Sequence, residues 1–476
     1  MSSVERKQQI LPNLFDVVII GGGPGGYVAA IRASQLGGKV ALVEKGKVGG
    51  TCLNTGCIPV NALLKSARAI YAFRRAEEFG IFAKDVRIDF ETMKKKTSGI
   101  VNKLVLGVEY LLKANNVQVI KGKATITSRG TVEVANENGS KATVKAKKII
   151  VATGAKCRKP LVAGASEKEI ITTDDALQLK EIPKSLLIMG GNPEAMAFAA
   201  IFNALGTKVT VTEPTSHVLL SMDIEIAILL QRLLKKDGVD VFTNAEINKI
   251  ETSQTEKTAT ITTEGKEKRV SVEKILSTDR MLNTGDLGLD KIGVTIQNGK
   301  VSVDDRMETN IHGIYAVGDV TGESTAHVAF AEGMIAAENA MGKESTIDRN
   351  AVPKCAYTIT DVASVGLTEK QARERNNNVK IGRFPFSANG KALILGESEG
   401  LVKIVADEET GEILGVYIIG PNATEMIAEA VLAIKLEATI DDLADAIHVH
   451  PTLSETLKEA ALDANDSPIH MPRRKG

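Results

Sequence analysis

The stretch Phe15-Asp-Val-Val-Ile-Ile-Gly-Gly-Gly-Pro-Gly-Gly26 decides the fold. Phe15 to Ile20 is apolar and rich in β-branched residues, which predicts a buried strand, and the glycines behind it predict a sharp turn. A helical stretch from Tyr27 to Leu36 and a second strand from Lys39 to Val43 complete a βαβ unit that ends at Glu44. In such a unit Gly21 permits the tight turn, Gly23 keeps a side chain away from a pyrophosphate, and Gly26 lets helix and strand pack closely. The helix N-terminus attracts the negative charge. Glu44 is then placed to accept hydrogen bonds from an adenosine ribose. A merely structural turn would not need strand, helix and acidic residue in this register.

The pattern occurs a second time. Ser185-Leu-Leu-Ile-Met189 leads into Gly190-Gly-Asn-Pro-Glu-Ala195, a helix to Leu205, and a strand from Lys208 to Thr212 followed by Glu213. Glu44 and Glu213 stand at the same offset, 23 residues, from Gly21 and Gly190. Two βαβ units with matching acidic residues predict two dinucleotide sites. Between them, Val117 to Val151 reads as strands and turns that close at Ala152-Thr-Gly154. From about Ala351 the texture changes to alternating strands, Leu401 to Ala406 and Ile413 to Ile419, followed by a long helix. Its stripe of Ala423, Met426, Ile427, Ala430, Val431 and Ile434 reads as core or subunit interface.

A chain of 476 residues has length for about three domains. Its 43% hydrophobic and 25% charged residues are those of an ordinary globular protein. The 59 Lys and Arg cancel the 59 Asp and Glu, so no whole-chain field draws it to nucleic acid or anionic lipid. With no Trp and 4% aromatic residues it also lacks the makings of a base-stacking surface, which leaves small molecules as the expected ligands. Met1 to Leu14 is polar, and the apolar run behind it is too short for a signal core or a membrane span. Four cysteines in this length do not make a secreted disulfide framework. The expected location is cytoplasmic, with neither nucleic acid nor membrane as partner.

Two of those cysteines, Cys52 and Cys57, lie within Gly49-Gly-Thr-Cys-Leu-Asn-Thr-Gly-Cys-Ile-Pro59; Cys157 and Cys355 stand apart. Five extended steps would span about 17 Å, whereas a disulfide wants Cα atoms about 4.4–6.8 Å apart, so a bridged segment has to coil. A helix-like turn rises about 7.5 Å over the same steps. Pro59 suits the first turn of a helix, where a thiolate is stabilised by the dipole. The alternatives are a zinc half-site and a pair of buried thiols. Zinc needs two further ligands, which no nearby Cys or His cluster supplies, and no metal is expected. Two other segments carry chemistry. Gly313-Ile-Tyr-Ala-Val-Gly-Asp319 is a strand ending in a turn whose carboxylate can meet a cofactor hydroxyl. In His448-Val-His450-Pro-Thr-Leu-Ser-Glu455 an imidazole precedes a carboxylate by five residues, as in an oriented general base, although a structural role is the commoner fate of a histidine.

The Cys52–Cys57 segment, the Ala152-Thr-Gly154 turn, Gly318-Asp319 and His-x-His-Pro-Thr-x-Ser-Glu, in this order from about Phe15 to Ala464, resemble the FAD-dependent pyridine nucleotide-disulfide oxidoreductases. The second His before Pro and the match from Val365-Gly-Leu-Thr368 onward resemble the members that oxidise dihydrolipoyl groups more than those that reduce glutathione. No Cys pair follows residue 455, which disfavours the mercury-reducing branch. The resemblance implies an α/β fold of two Rossmann-like dinucleotide-binding domains and an α+β C-terminal interface domain. The implied boundaries are 1–152 for the first part of the FAD domain, 153–280 for the NAD-like domain, 281–350 for the return to the FAD side, and 351–476 for dimerisation. It implies FAD on Gly21, Gly23, Gly26, Glu44, Thr51, Gly154, Asp319 and Ala326, and NAD on Gly190 and Glu213. Cys52 would exchange with substrate and Cys57 would lie against the flavin. His450, held by Glu455, would act as acid/base on the other subunit of a homodimer, and the substrate would be a dihydrolipoyl group on a carrier protein.

Certain positions depart from the family pattern. Where the family has a Lys two residues after Cys-Ile-Pro and a Glu in the second glycine-motif helix, this chain has Asn61 and Ala197. Loss of one partner alone would strand a charge, at about 3–5 kcal/mol if buried, so the joint change is coherent. Asn192 stands at the second glycine of the second motif, and Asp279 replaces a Gly before Arg280. NAD use is therefore in doubt, and a small electron-transfer protein or quinone is an expected alternative acceptor. A reductase of another small disulfide and a silent FAD-binding assembly subunit are the rival readings.

Overall fold

The computed structural model describes residues 9–473 except 83, 137, 254, 255, 323, 324, 376 and 377. The chain divides into two compact units: Met1–Ala62, Glu91–Arg158 and Arg280–Ile347 form one, and Leu63–Phe90, Lys159–Asp279 and Asp348–Gly476 the other. The fold is mixed α/β.

The first unit is built on a seven-stranded sheet. Gln118–Lys121, Val40–Glu44, Gln9–Ile20 and Lys141–Val151 run parallel in that order, Ile314–Ala316 also pairs parallel with Lys141–Val151, and Thr131–Ala135 and Lys123–Ser128 continue antiparallel. The first strand begins at Gln9, six residues before the expected Phe15. Its Val17, Val18 and Ile19 are fully buried. A central parallel strand is covered on both faces, which is why the run is uniformly apolar and does not alternate. The helix Pro24–Gln35 starts three residues ahead of Tyr27, because Pro24 presets φ at a position that needs no N–H. It crosses the helix Ala326–Ala340 through small residues: a Cβ on Gly333 would stand 2.4 Å from the Gly25 carbonyl oxygen.

The second unit holds the repeat. Asp240–Phe242, Lys208–Thr212, Ser185–Met189, Lys274–Ser277 and Ile170–Thr172 form a five-stranded parallel sheet, and the helix Pro193–Ala204 is buried at every position from Ala195 to Phe202. Its C-terminal part is an antiparallel sheet in the order Lys354–Ala356, Asp361–Gly366, Ile413–Gly420, Leu401–Asp407, Val379–Pro385. The apolar stripe from Ala423 belongs to the helix Ala423–Lys435 and faces this sheet's core: Ala423, Met426, Ile427 and Ala430 are buried, and Val431 and Ile434 pack against them.

One part of this unit is charged. Lys403, on the strand Leu401–Asp407, is 3% exposed and lies 3.1 Å from Asp223 Oδ2, 3.1 Å from Glu225 Oε2 and 3.0 Å from Glu369 Oε2. Arg383, its cross-strand neighbour, holds Glu225 through two nitrogens at 2.9 Å. Asp223 meanwhile caps the helix Ile224–Lys236 by accepting the Glu225 N–H. Burial pushes the Lys403 ammonium down, but Asp223, Glu369 and Glu225 outweigh it and leave it raised. Burial pushes Glu225 and Glu369 up, and their cationic partners outweigh it in the other direction.

Replacing Lys403 by Met leaves the buried Asp223 without its cation and takes one from Glu225 and Glu369, which keep Arg383 and Arg373, so K403M is expected to lose about 3–5 kcal/mol of stability in urea denaturation near neutral pH. The lowered Glu225 and Glu369 contribute stability that is present above the ordinary carboxylate range and lost as pH falls through their lowered values. The raised Lys403 contributes below the ordinary lysine range and loses this as pH rises above it. The gap between wild type and K403M should therefore narrow below about pH 4 and above about pH 10.4.

Candidate active site

The three glycines of the first motif have three separate causes. Gly21 has φ of +103°, and a Cβ there would lie 2.3 Å from the Ala152 carbonyl oxygen. A Cβ on Gly26 would lie 1.8 Å from the Gly21 carbonyl oxygen, so this contact sets how closely helix meets strand. At Gly23 the nearest neighbour of a Cβ is Gly50 Cα at 3.7 Å, ordinary contact, so the chain itself does not demand glycine there. The space in front of Gly23 faces a helix N-terminus that no side chain caps. A phosphate fits this cradle, because its oxygens would meet unclaimed N–H donors. Glu44 has a structural task as well: Oε2 accepts the Gly22 N–H and Oε1 the Gly46 N–H, both at 2.6 Å.

The other expected FAD residues lie in the same unit. Gly154, at φ +64°, accepts the Asn283 N–H at 2.9 Å, and Thr153 and Asn283 exchange two more hydrogen bonds at 2.8 and 2.9 Å. Asp319 lies in the single turn Gly318–Thr321, and Ala326 opens the helix Ala326–Ala340, whose N-cap Thr325 makes no side-chain cap. The Gly318 N–H donates at 2.7 Å to Glu332 Oε2, a carboxylate with no exposed surface. Sequence reading missed Asn283 and Glu332. Glu332 could have been flagged only as a charge on the buried face of an otherwise apolar helix.

The cysteine segment coils into the short helix Gly50–Asn54, which carries Thr51 and Cys52, and the helix Cys57–Arg74. Asn54, also missed, steadies the turn: its Nδ2 donates to the carbonyls of Val48 at 3.1 Å and Gly50 at 2.9 Å. All four cysteines are thiols; Cys57 is exposed and Cys52 half-buried. A hydrogen bond with Cys57 pushes the Cys52 thiol up, reinforced by burial and by the charges of Cys57 and Asp319. Cys57 opens its helix, where the dipole favours a negative charge. Cys355 is pushed up to about 11, by burial first and then by Asp361 and Glu425. Asn61 turns back to its own helix and donates to the Cys57 carbonyl at 2.9 Å. Among the described residues no group of three or more His, Cys, Asp and Glu is placed to hold a metal.

In the second unit Glu213 repeats Glu44: it accepts the Gly191 N–H at 2.6 Å and the Thr215 N–H at 2.8 Å. Gly190 repeats Gly21 with φ of +102°. The helix start differs. Asn192 Oδ1 accepts the Ala195 N–H at 2.8 Å and its Nδ2 donates to the Thr278 carbonyl at 3.3 Å, so the donors that stay open beside Gly23 are partly claimed here. Glu194 adds a carboxylate to the first turn, and Ala197, 4% exposed, lies in the apolar body of the helix. Elsewhere in this unit His450 is 78% exposed, with Nδ1 2.9 Å from Glu455 Oε1. Glu455 Oε2 accepts the Thr452 N–H at 2.8 Å.

Residues 15–333 match the family model described as pyridine nucleotide-disulphide oxidoreductase, and residues 352–461 match that family's dimerisation domain. The chain is 43% identical to a dihydrolipoyl dehydrogenase of Bacillus subtilis (strain 168), covering 96% of this chain and 99% of the relative. It is 42% identical to one of Thermus scotoductus, covering 97% and 99%. Among solved structures, LpdA from Mycobacterium tuberculosis superposes with a TM-score of 0.86 at 27% identity, over 94% of this chain and 98% of that one. The HOCl-induced flavoprotein disulfide reductase RclA from Escherichia coli, in a Cu(II) complex, gives 0.84 at 28% identity over 94% and 99%.

The Gly26 contact generates a direct test. With a Cβ placed 1.8 Å from a backbone oxygen, G26A has to push helix from strand and open the phosphate cradle. The purified variant is expected to lose the visible flavin absorbance of the parent, whereas G23A, which meets no atom of the chain closer than 3.7 Å, should fold with an unchanged melting temperature and hold FAD more weakly.

Proposed function

The chain belongs to the pyridine nucleotide-disulphide oxidoreductase family, and on that premise we propose that it oxidises dihydrolipoyl groups on a carrier protein through Cys52 and Cys57. It is an FAD-dependent disulfide oxidoreductase of the dihydrolipoyl dehydrogenase kind. The observation that carries the reading is the contact of the two thiols beside Asp319, in the same unit as a phosphate cradle whose donors are unclaimed. With the pair oxidised, a substrate thiol that has given its proton to solvent attacks Cys52 Sγ as the thiolate and displaces the Cys57 thiolate. The second substrate thiol gives its proton to His450 and attacks the substrate sulfur of the mixed disulfide. The cyclic disulfide leaves, and Cys52 departs with the bonding electrons. Two electrons and two protons have then left the substrate. Gly21, Gly23, Gly26, Glu44, Thr51, Gly154, Asp319 and Ala326 would hold FAD, which when bound would supply the two-electron acceptor that the reduced cysteines need.

Residues 352–461 are the dimerisation domain, which supports a homodimer in which His450 serves the dithiol of the other subunit. The division at 152, 280 and 350 into FAD-binding, NAD-like, central and interface segments is part of the same proposal. A cytoplasmic location is part of the same proposal. Among the described residues no helix is long and apolar enough to cross a membrane.

NAD, on Gly190 and Glu213, is the weaker cofactor in this reading. Asn192 claims a donor that a pyrophosphate needs, and Asn61 leaves no cation two residues after Pro59. The Gly191–Glu213 hydrogen bond, which repeats Gly22–Glu44, favours instead an ordinary NAD-dependent enzyme.

C52S and C57S should each abolish dihydrolipoamide oxidation, assayed with an artificial one-electron acceptor, while retaining FAD. H450Q should slow it at least about 100-fold, and E455Q less. Unchanged turnover in either cysteine variant would overturn the reading.

With NAD as acceptor, turnover should be slow in the parent. N192G frees the Ala195 N–H, worth about 1.5–3 kcal/mol toward an anion, and should lower the KM for NAD about 10-fold or more. Rapid NADH formation by the parent at micromolar NAD would restore the ordinary NAD-dependent reading.

A further inference from the structure

The segment that carries His450 joins the helix Ile440–Asp445 to the helix Glu455–Ala464. Around His450 the side chains point outward: Ile447 is 98% exposed, Val449 75% and the His450 side chain 78%. Between them His448 turns inward, with 7% of its side chain exposed. Its Nε2 lies 2.9 Å from Glu429 Oε1, on the helix Ala423–Lys435, and its Nδ1 lies 3.2 Å from the Ala446 carbonyl oxygen. Both ring nitrogens thus face an acceptor, the Ala446 carbonyl oxygen on one side and the Glu429 carboxylate on the other. Lys458 Nζ donates to the same Ala446 carbonyl at 3.0 Å, which fixes the backbone two residues before His448. His448 also acts through charge on Glu455, the partner of His450. Burial pushes the Glu455 carboxyl up, but the Thr452 N–H, His450 and the charge of His448 outweigh it and leave it lowered.

We propose that His448 is a positioning residue for His450: paired with Glu429, it latches the backbone just ahead of His450 to the helix Ala423–Lys435 and holds the exposed imidazole where Glu455 orients it. The proposal rests on the reading of His450 as the acid/base. His448 touches neither substrate nor flavin in this account. Its contribution is geometric, and misplacing a catalytic group by about 1 Å costs up to about 100-fold in rate.

The test uses the FAD-loaded full chain, dihydrolipoamide and an artificial one-electron acceptor, with kcat and KM measured separately. H448A is expected to lower kcat about 10- to 100-fold with KM nearly unchanged. H448Q, which still donates to Glu429, should recover part of the loss, and E429Q should show a smaller loss of the same kind. In an H450Q background H448A should add no further loss, because there is no longer a base to position. A kcat unchanged in both H448A and E429Q, or a loss in H448A of equal size with and without His450, overturns the proposal. Should H448A fail to fold, E429Q and H448Q carry the same comparison. If H450Q itself turns over like the parent, it is the acid/base reading that fails, so the two failures are distinguishable.

Discussion

A carboxylate at the end of a second parallel strand, hydrogen-bonded to the backbone of the preceding glycine turn, is the contact on which both nucleotide-type halves depend. Glu44 takes the N–H groups of Gly22 and Gly46, and Glu213 those of Gly191 and Thr215. Each contact fastens the glycine turn to the loop after the second strand, and so fixes the helix N-terminus relative to the sheet. A charge-assisted bond of this kind is among the stronger ones available to a backbone donor. Its repetition with almost the same geometry in two sheets explains why the offset between glycine and acid is the same in both halves of the sequence.

The strands, the two motif helices and the glycine turns were legible because each answers to a local rule: a covered parallel strand must be apolar, a proline suits the first helical turn, and a backbone crossing admits no Cβ. Ser185–Met189 and Lys208–Thr212 have the predicted bounds. Contacts between distant segments were not legible. Nothing near Gly318 in the sequence points to Glu332, and nothing near Thr153 points to Asn283. Lys403, Asp223, Glu225 and Glu369 are scattered over almost 200 residues, and each looks like an ordinary surface charge until the fold brings them together. Asn192 was visible as a side chain in the wrong place for a phosphate. That it caps its own helix needed coordinates, since capping depends on φ and ψ as well as residue type.

The two halves therefore share a frame and differ in what the frame leaves open. Beside Gly23 the helix start keeps its donors for a ligand, and beside Asn192 the protein satisfies one of them itself. Helix stability and ligand affinity compete for the same N–H groups, because a donor already bonded to a side chain gains less from a phosphate. At Asn61 and Ala197 the chain has a residue bonded to its own helix and a buried methyl group. Both are arrangements that need no partner elsewhere.

The charged cluster around Lys403 also gives this unit a particular response to heat. Hydration of ions carries a strongly negative entropy, so the free energy lost when Lys403, Asp223 and their neighbours leave water shrinks on warming, while hydrophobic stabilisation per unit area levels off. The cluster's relative share of the unit's stability accordingly rises with temperature.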